Sequence, residues 1–106
     1  MKTVFKIRDG TMLVKLTGEL DHHAAKELIA KLIDECELST IIRCVLDFSG
    51  VTFMDSSGLA VILFVNRQMR QIGGSFSIIN LPEQAARVVS ASGIESLIKQ
   101  EDENEE

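Results

Sequence analysis

The 106-residue chain contains no tryptophan and no tyrosine, a single proline and two cysteines. It also lacks a long apolar run: the longest, LAVILFV at 59–65, falls far short of the ~20 residues that a membrane-spanning helix requires. The first ten residues, MKTVFKIRDG, have none of the apolar core of a signal peptide. The expectation is a cytoplasmic chain with no membrane partner. Clusters of basic residues are missing as well. Eleven Lys and Arg are scattered among sixteen acids, for a formal net charge of -5, which argues against a nucleic-acid partner, since phosphate binding needs grouped cations. A basic or apolar surface is the more natural partner. Cys36 and Cys44 show no C-x-x-C spacing and each falls in an apolar run, so both are expected as buried, reduced core thiols rather than a disulfide or a metal pair. No cofactor motif is present.

What is there builds one domain, with a single core and no room for a second. TVFKIRDGTMLVKLTGEL alternates apolar and polar residues around Asp9-Gly10, the signature of two antiparallel strands joined by a tight turn. From Asp21 the period changes to that of a helix. Ala25, Leu28, Leu32 and Cys36 form a stripe that Ile29 and Ile33 widen, with Asp21 as its cap. IIRCVLDF, rich in β-branched residues and without alternation, reads as a central strand covered on both faces. A second helix is expected from the DSSG motif to about Ile72, closed by Gly73-Gly74; then a strand, SFSIIN; then a helix entered at Pro82 and ended at Gly93; and ESLIKQ as a short edge strand. EDENEE at 101–106 is expected as an acidic, solvated, disordered tail behind a domain at 1–100.

The order β-β-α-β-α-β-α implies an α/β fold: a mixed sheet of four to five strands, with an N-terminal antiparallel hairpin and parallel strands joined by right-handed crossover helices. Such strands open their strand-to-helix loops at one edge of the sheet. Asp21-His22-His23, Phe53-Met54-Asp55-Ser56-Ser57 and Asn80-Leu81-Pro82 are therefore expected on one rim.

The unusual stretch is FMDSSGL at 53–59, an acid, two hydroxyls and a glycine between two hydrophobic elements. With Asp55 as cap, Ser56 and Ser57 take the first two helical positions, where backbone N–H groups lack partners and the dipole is positive. Capping alone accounts for acids and hydroxyls at many helix starts. On the helix behind, Val61, Ile62, Val65, Met69 and Ile72 share a core face, whereas Ser57, Ala60 and Phe64 fall on the opposite side. That second strip is either an interaction surface or packing beneath a neighbouring helix. A phosphate on Ser57 would add about -1.5 to -2 charges at its head. The dipole would tolerate the phosphate, and an apolar or acidic partner would not. Gly58 is expected to leave room for whatever approaches.

GELDHHAAKEL, LDFSGVTFMDSSGLAVIL, and QIGG followed by SASGI together resemble the anti-sigma factor antagonists of the STAS family (sulphate transporter and anti-sigma factor antagonist), the sporulation-type members above all. The likeness runs over residues 3–99 in matching order, and TFMDSSGL joined to ELDHH is far more specific than a lone cap motif. The resemblance implies a domain that binds an anti-sigma factor which is also a serine kinase, releasing the sigma factor. The kinase phosphorylates the antagonist, and a serine phosphatase restores it. Ser57 matches the family's phosphorylated serine, Asp21 an acid beside the kinase contact, and Asp55 the residue that orders the motif. Asp21, His22, Asp55, Ser56, Gly58, Ala60 and Phe64 are the expected partner-binding residues.

Two rivals come from other classes. An enzyme would need more than DSSG: there is no G-x-S-x-G elbow, no oxyanion loop and no acid to orient His22 or His23, which are expected as exposed first-turn side chains without metal. A nucleotide- or small-ligand-binding STAS module remains the alternative, although G-x-x-x-x-G-K-[ST] and G-x-G-x-x-G are absent. Asp47 is expected to close the central strand and bond the loop after it.

Overall fold

A computed structural model describes residues 1–97 and the backbone of Lys99–Glu101. The elements, in chain order, are β1 (Lys2–Arg8), β2 (Thr11–Leu20), α1 (His22–Leu38), β3 (Arg43–Met54), α2 (Ser57–Gln71), β4 (Ser75–Ile79), α3 (Glu83–Ser92), a short 3-10 turn (Ile94–Ser96) and β5 (Lys99–Glu101). The five strands form one sheet in the order β1-β2-β3-β4-β5. The first pair is antiparallel and the others parallel. Asp9 and Gly10, at φ 52° and 80°, turn the hairpin, both in the left-handed region that a two-residue turn of matching twist demands.

Every crossover steps one strand in the same direction, so right-handedness puts the helices on a single face. Side-chain alternation agrees. Met12, Val14 and Leu16 of β2, Cys44, Leu46 and Phe48 of β3, and Phe76 and Ile78 of β4 are buried in one core with Leu28 and Leu32 of α1, Val61, Ile62, Val65 and Met69 of α2, and Ala85 and Val89 of α3. Burying each large aliphatic side chain contributes about 1.5–3 kcal/mol. The central strand is thus covered by helices on one face only. Its apolar run reads as doubly covered because Val45 and Asp47, on the other face, are also nearly inaccessible, at 8% exposure each. Among the described residues no helix is long and apolar enough to cross a membrane.

Four expectations change. Cys36 is exposed and only Cys44 is buried, and Ile33 and Ile72 are also exposed. The last turns of α1 and α2 diverge around a half-open cavity of about 310 Å³, lined by Leu32, Ile33, Cys36, Ile41, Phe64 and Ile72 among others, so these positions meet space where the helical stripe promises core. β3 runs past Asp47 to Met54; Ser49-Gly50, which reads as a loop, is part of the strand, with register shifts in its pairing to β2. The β3–β4 ladder ends at Asp47↔Ile79, so Asn80-Leu81-Pro82 leaves the sheet below the end of β3, and the chain regains the rim in the first turn of α3, where Gln84 bonds Met54. Glu101, placed in the tail by its sequence, has its backbone in β5. Residues 102–106, the rest of that tail, lie outside the described residues.

Candidate functional site

The rim is built from the ends of β2 and β3. Leu20 and Met54 pair across the two strands, and the Asp55 N–H donates to the Leu20 carbonyl at 3.4 Å, so Asp21 and Asp55 leave the sheet as neighbours. Each opens a helix. Asp21 Oδ1 accepts from the Ala24 N–H at 2.9 Å, and its carbonyl accepts from Ala25 at 2.8 Å, the geometry of a side-chain N-cap. Asp55 Oδ1 accepts from the Ser57 N–H at 2.8 Å, while its carbonyl accepts from Gly58 at 3.1 Å. Ser56 already has helical backbone angles, φ -63° and ψ -16°. Ser56 and Ser57 therefore begin α2, with Asp55 as the acid that holds them.

Ser56 is exposed and Ser57 half-buried, so the hydroxyl of Ser57 is within reach of solvent at the positive end of a 15-residue helix. Asp21 and Asp55 are half-buried, and His22, His23 and Ala60 are exposed. His23 Nε2 lies 3.4 Å from Glu27 Oε2 one turn along α1, both exposed, a contact of little energetic weight. No cluster of three or more His, Cys, Asp or Glu that could hold a metal exists among the described residues.

Two of the expected partner contacts also have structural roles. Gly58 is buried, and a Cβ there would overlap the Met54 side chain and touch Leu20 Cδ2 at 3.1 Å. Its missing side chain lets α2 sit down on the ends of β2 and β3, and does not make room for a visitor. Phe64 is half-buried against the core and lines the cavity beside Leu32 and Ile33 of α1. Ser57 and Phe64 stand about a quarter-turn from the buried stripe, on the flank toward α1, rather than opposite it. Only Ala60 looks squarely outward.

One residue was missed, and another, Phe53, was expected on the rim but not as a contact. Phe53 is 43% exposed at the top of β3, an apolar ring beside the DSSG turn. Only a strand continued through Ser49-Gly50 could have revealed its outward register. Gln84, in the first turn of α3, accepts the Met54 N–H at Oε1 and donates from Nε2 to the Met54 carbonyl, each at 2.8 Å. Where β4 has stopped, one side chain supplies the two hydrogen bonds of a strand neighbour. No local pattern marks such a long-range role.

Deeper in β3, Asp47 Oδ1 accepts from the Ser49 N–H at 2.9 Å and from Asn80 Nδ2 at 3.2 Å. Burial alone would push this carboxyl up, but the hydrogen bonds from Ser49 and Asn80, with Lys15 nearby, outweigh it and hold the group below the ordinary aspartate value. It is a strut beneath the rim and takes no part in the exposed surface.

The chain from residue 2 to 106 matches the family model of the STAS domain. It is 31% identical over 84 residues to the anti-sigma F factor antagonist of Lysinibacillus sphaericus, covering 79% of this chain and 72% of that protein. It is 30% identical over 93 residues to the anti-sigma-B factor antagonist of Bacillus subtilis, covering 88% and 84%. Among solved structures, the anti-sigma factor antagonist SpoIIAA in its unphosphorylated form superposes with a TM-score of 0.83 at 25% identity, covering 96% of this chain and 90% of that one. SpoIIAA in its phosphorylated form gives 0.75 at the same identity, covering 96% and 93%.

Proposed function

This chain belongs to the STAS-domain family, and we propose that within it the protein acts as an anti-sigma factor antagonist in the cytoplasm: it binds an anti-sigma factor that is also a serine kinase, so that a sigma factor is released, and it is switched off when that kinase phosphorylates Ser57. A serine phosphatase reverses the modification, and the chain itself catalyses nothing.

One observation carries the reading. Ser57 is a solvent-reachable hydroxyl at the N-terminus of α2, its own N–H fixed by Asp55, on a rim shared with Asp21 and His22. A phosphate added there meets the positive end of the helix dipole, which offsets part of its charge. The fold has no reason to break. That relatives of this fold are known in unphosphorylated and phosphorylated forms, with TM-scores of 0.83 and 0.75 to this chain, supports a modification that the architecture survives. Binding is what changes: a dianion at the head of the surface formed by Asp21, His22, Ser56, Ser57, Ala60 and Phe53 must be desolvated against any partner that does not supply cations for it.

Asp55 serves as a positioning residue, because its carboxylate is spent on the Ser57 N–H. The test uses the kinase and the intact protein. Ser57→Ala should abolish phosphate incorporation and retain binding, whereas Ser57→Asp should weaken binding by about tenfold or more, equivalent to 1.4 kcal/mol. Incorporation that survives Ser57→Ala and disappears in Ser56→Ala would move the site by one residue.

A further inference from the structure

The first strand carries a feature the rim does not explain. Among the described residues β1 is the outer strand of the sheet and pairs only with β2. In an antiparallel pair every second residue turns its N–H and C=O away from the partner, so β1 offers a row of main-chain groups along an open edge. Lys2, Val4, Lys6 and Arg8 stand opposite Thr17, Lys15, Leu13 and Thr11, on the face away from the helices. Thr3, Phe5 and Ile7 stand on the helix side, opposite Leu16, Val14 and Met12. All four outer-face residues are exposed. Lys15 of β2 and Arg43 of β3 are exposed on the same face. Five of the eleven basic residues of a chain with net charge -5 therefore gather on one helix-free surface. The cations that look scattered along the sequence are grouped by the strand register.

Among the described side chains acids on this face are few: Asp47 is buried, and Glu19 lies at the rim end beside Phe53. Asp9, in the turn at the opposite end, lies 3.8 Å from Arg8 with both side chains over 90% exposed, a pair too solvated to neutralise the edge. Two apolar side chains also stand out along the strand, Val4 at 39% and Ile7 at 38% exposure.

We propose that β1 is a docking edge for an acidic β-strand of a partner protein, one whose Asp or Glu residues alternate with apolar residues. Strand addition uses main-chain hydrogen bonds for affinity and alternate side chains for specificity. Here the outer positions of the incoming strand fall beside Lys2, Lys6 and Arg8, and its helix-side positions beside Phe5 and Ile7. A second copy of β1 is refused, because like charges directly opposite one another destabilise a pair, and lysines are a common guard on open edges. Guarding alone does not account for Val4 and Ile7, which a purely repellent strand would not display. A lipid surface or a nucleic-acid duplex cannot use the row of backbone groups, and both would meet Asp9 and Glu19 at the ends of the face. This edge is distinct from the rim at Ser57, so both can be occupied at once.

The experiment titrates the intact, isotope-labelled protein with an end-capped heptapeptide of alternating Glu and Val, and with its Lys and Val counterpart. The Glu peptide should shift the β1 amides and slow hydrogen exchange at every second one, leaving the α2 amides unmoved. Lys2→Glu/Lys6→Glu/Arg8→Glu, three exposed changes, should weaken the Glu peptide at least tenfold and admit the Lys peptide. Unchanged α2 shifts in that variant verify its fold. Indifference of the β1 amides to the Glu peptide overturns the proposal, as does equal binding by the charge-reversed variant. Anionic vesicles or duplex DNA that bind and are lost with the three changes, while the Glu peptide leaves β1 untouched, would reassign the face to that class of partner. β1 shifts that depend on protein concentration alone would mean that a second copy docks there, and would equally refute it.

Discussion

Asp47 shows how one buried acid ties the sheet to its surroundings. Its carboxylate is held in the charged form by donors from Ser49 and Asn80, and its pKa is lowered relative to the unfolded chain. A group shifted in that sense contributes stability above the unfolded value of about 3.9, and the contribution disappears as pH falls through the lower folded value. Unfolding midpoints in urea should therefore drop for the native protein as pH is taken from 5 toward 2. Asp47→Asn should be less stable at pH 7 and show a shallower decline over the same range. A parallel decline would remove Asp47 from the account. At this scale the sequence was legible where neighbours in the chain decide the outcome: the caps at Asp21 and Asp55 and the Asp9-Gly10 turn follow from local hydrogen bonding and backbone preference. It was opaque for Gln84, whose partner is thirty residues away.

Among the elements, α2 tolerates little change at its start because its first turn lands directly on Met54 and Leu20. Gly58→Ala forces a methyl into that contact, and overpacking of this kind costs about 1–3 kcal/mol. A thermal melt should fall by roughly 4–8 °C for each kcal/mol, and phosphate incorporation at Ser57 should fall with it as the helix start tilts. A melt unchanged within a degree would mean that Met54 moves aside freely. The helices and the N-terminal hairpin were readable from periodicity, since each buries one stripe or one face. β3 was not, beyond Phe48. Its upper half pairs with β2 alone, and Ser49-Gly50 carries no strand signal, so only tertiary pairing keeps it extended. The apolar stripe of α1 misled in its last turn for a related reason: the pattern at Ile33 and Cys36 promises a covering that α2, diverging, does not provide.

At the scale of the whole molecule, the two thiols separate local from global exposure. Cys44 lies in the core of β3 with its thiol pushed up to about 12 by burial, Cys36 nearby adding to it. Cys36 is exposed at the mouth of the cavity between α1 and α2. An aromatic disulfide reagent at pH 8 should react with one thiol in the native protein and with both in denaturant, the second appearing at the rate of global unfolding. Cys44 also lines the inner wall of that cavity but has no exposed surface, so prompt reaction of both without denaturant would mean that the cavity widens enough to admit the reagent.

The amide of Gln84 sets a condition on any attempt to move the proposed switch elsewhere. A designer who transplanted residues 53–59 onto another sheet would carry over the serine and its acid but leave behind the clamp that fixes Met54 from the third helix. The grafted loop would then hang from one neighbouring strand instead of being gripped from both sides, and the hydroxyl would wander before any kinase found it. The portable unit is the motif together with a glutamine thirty positions downstream.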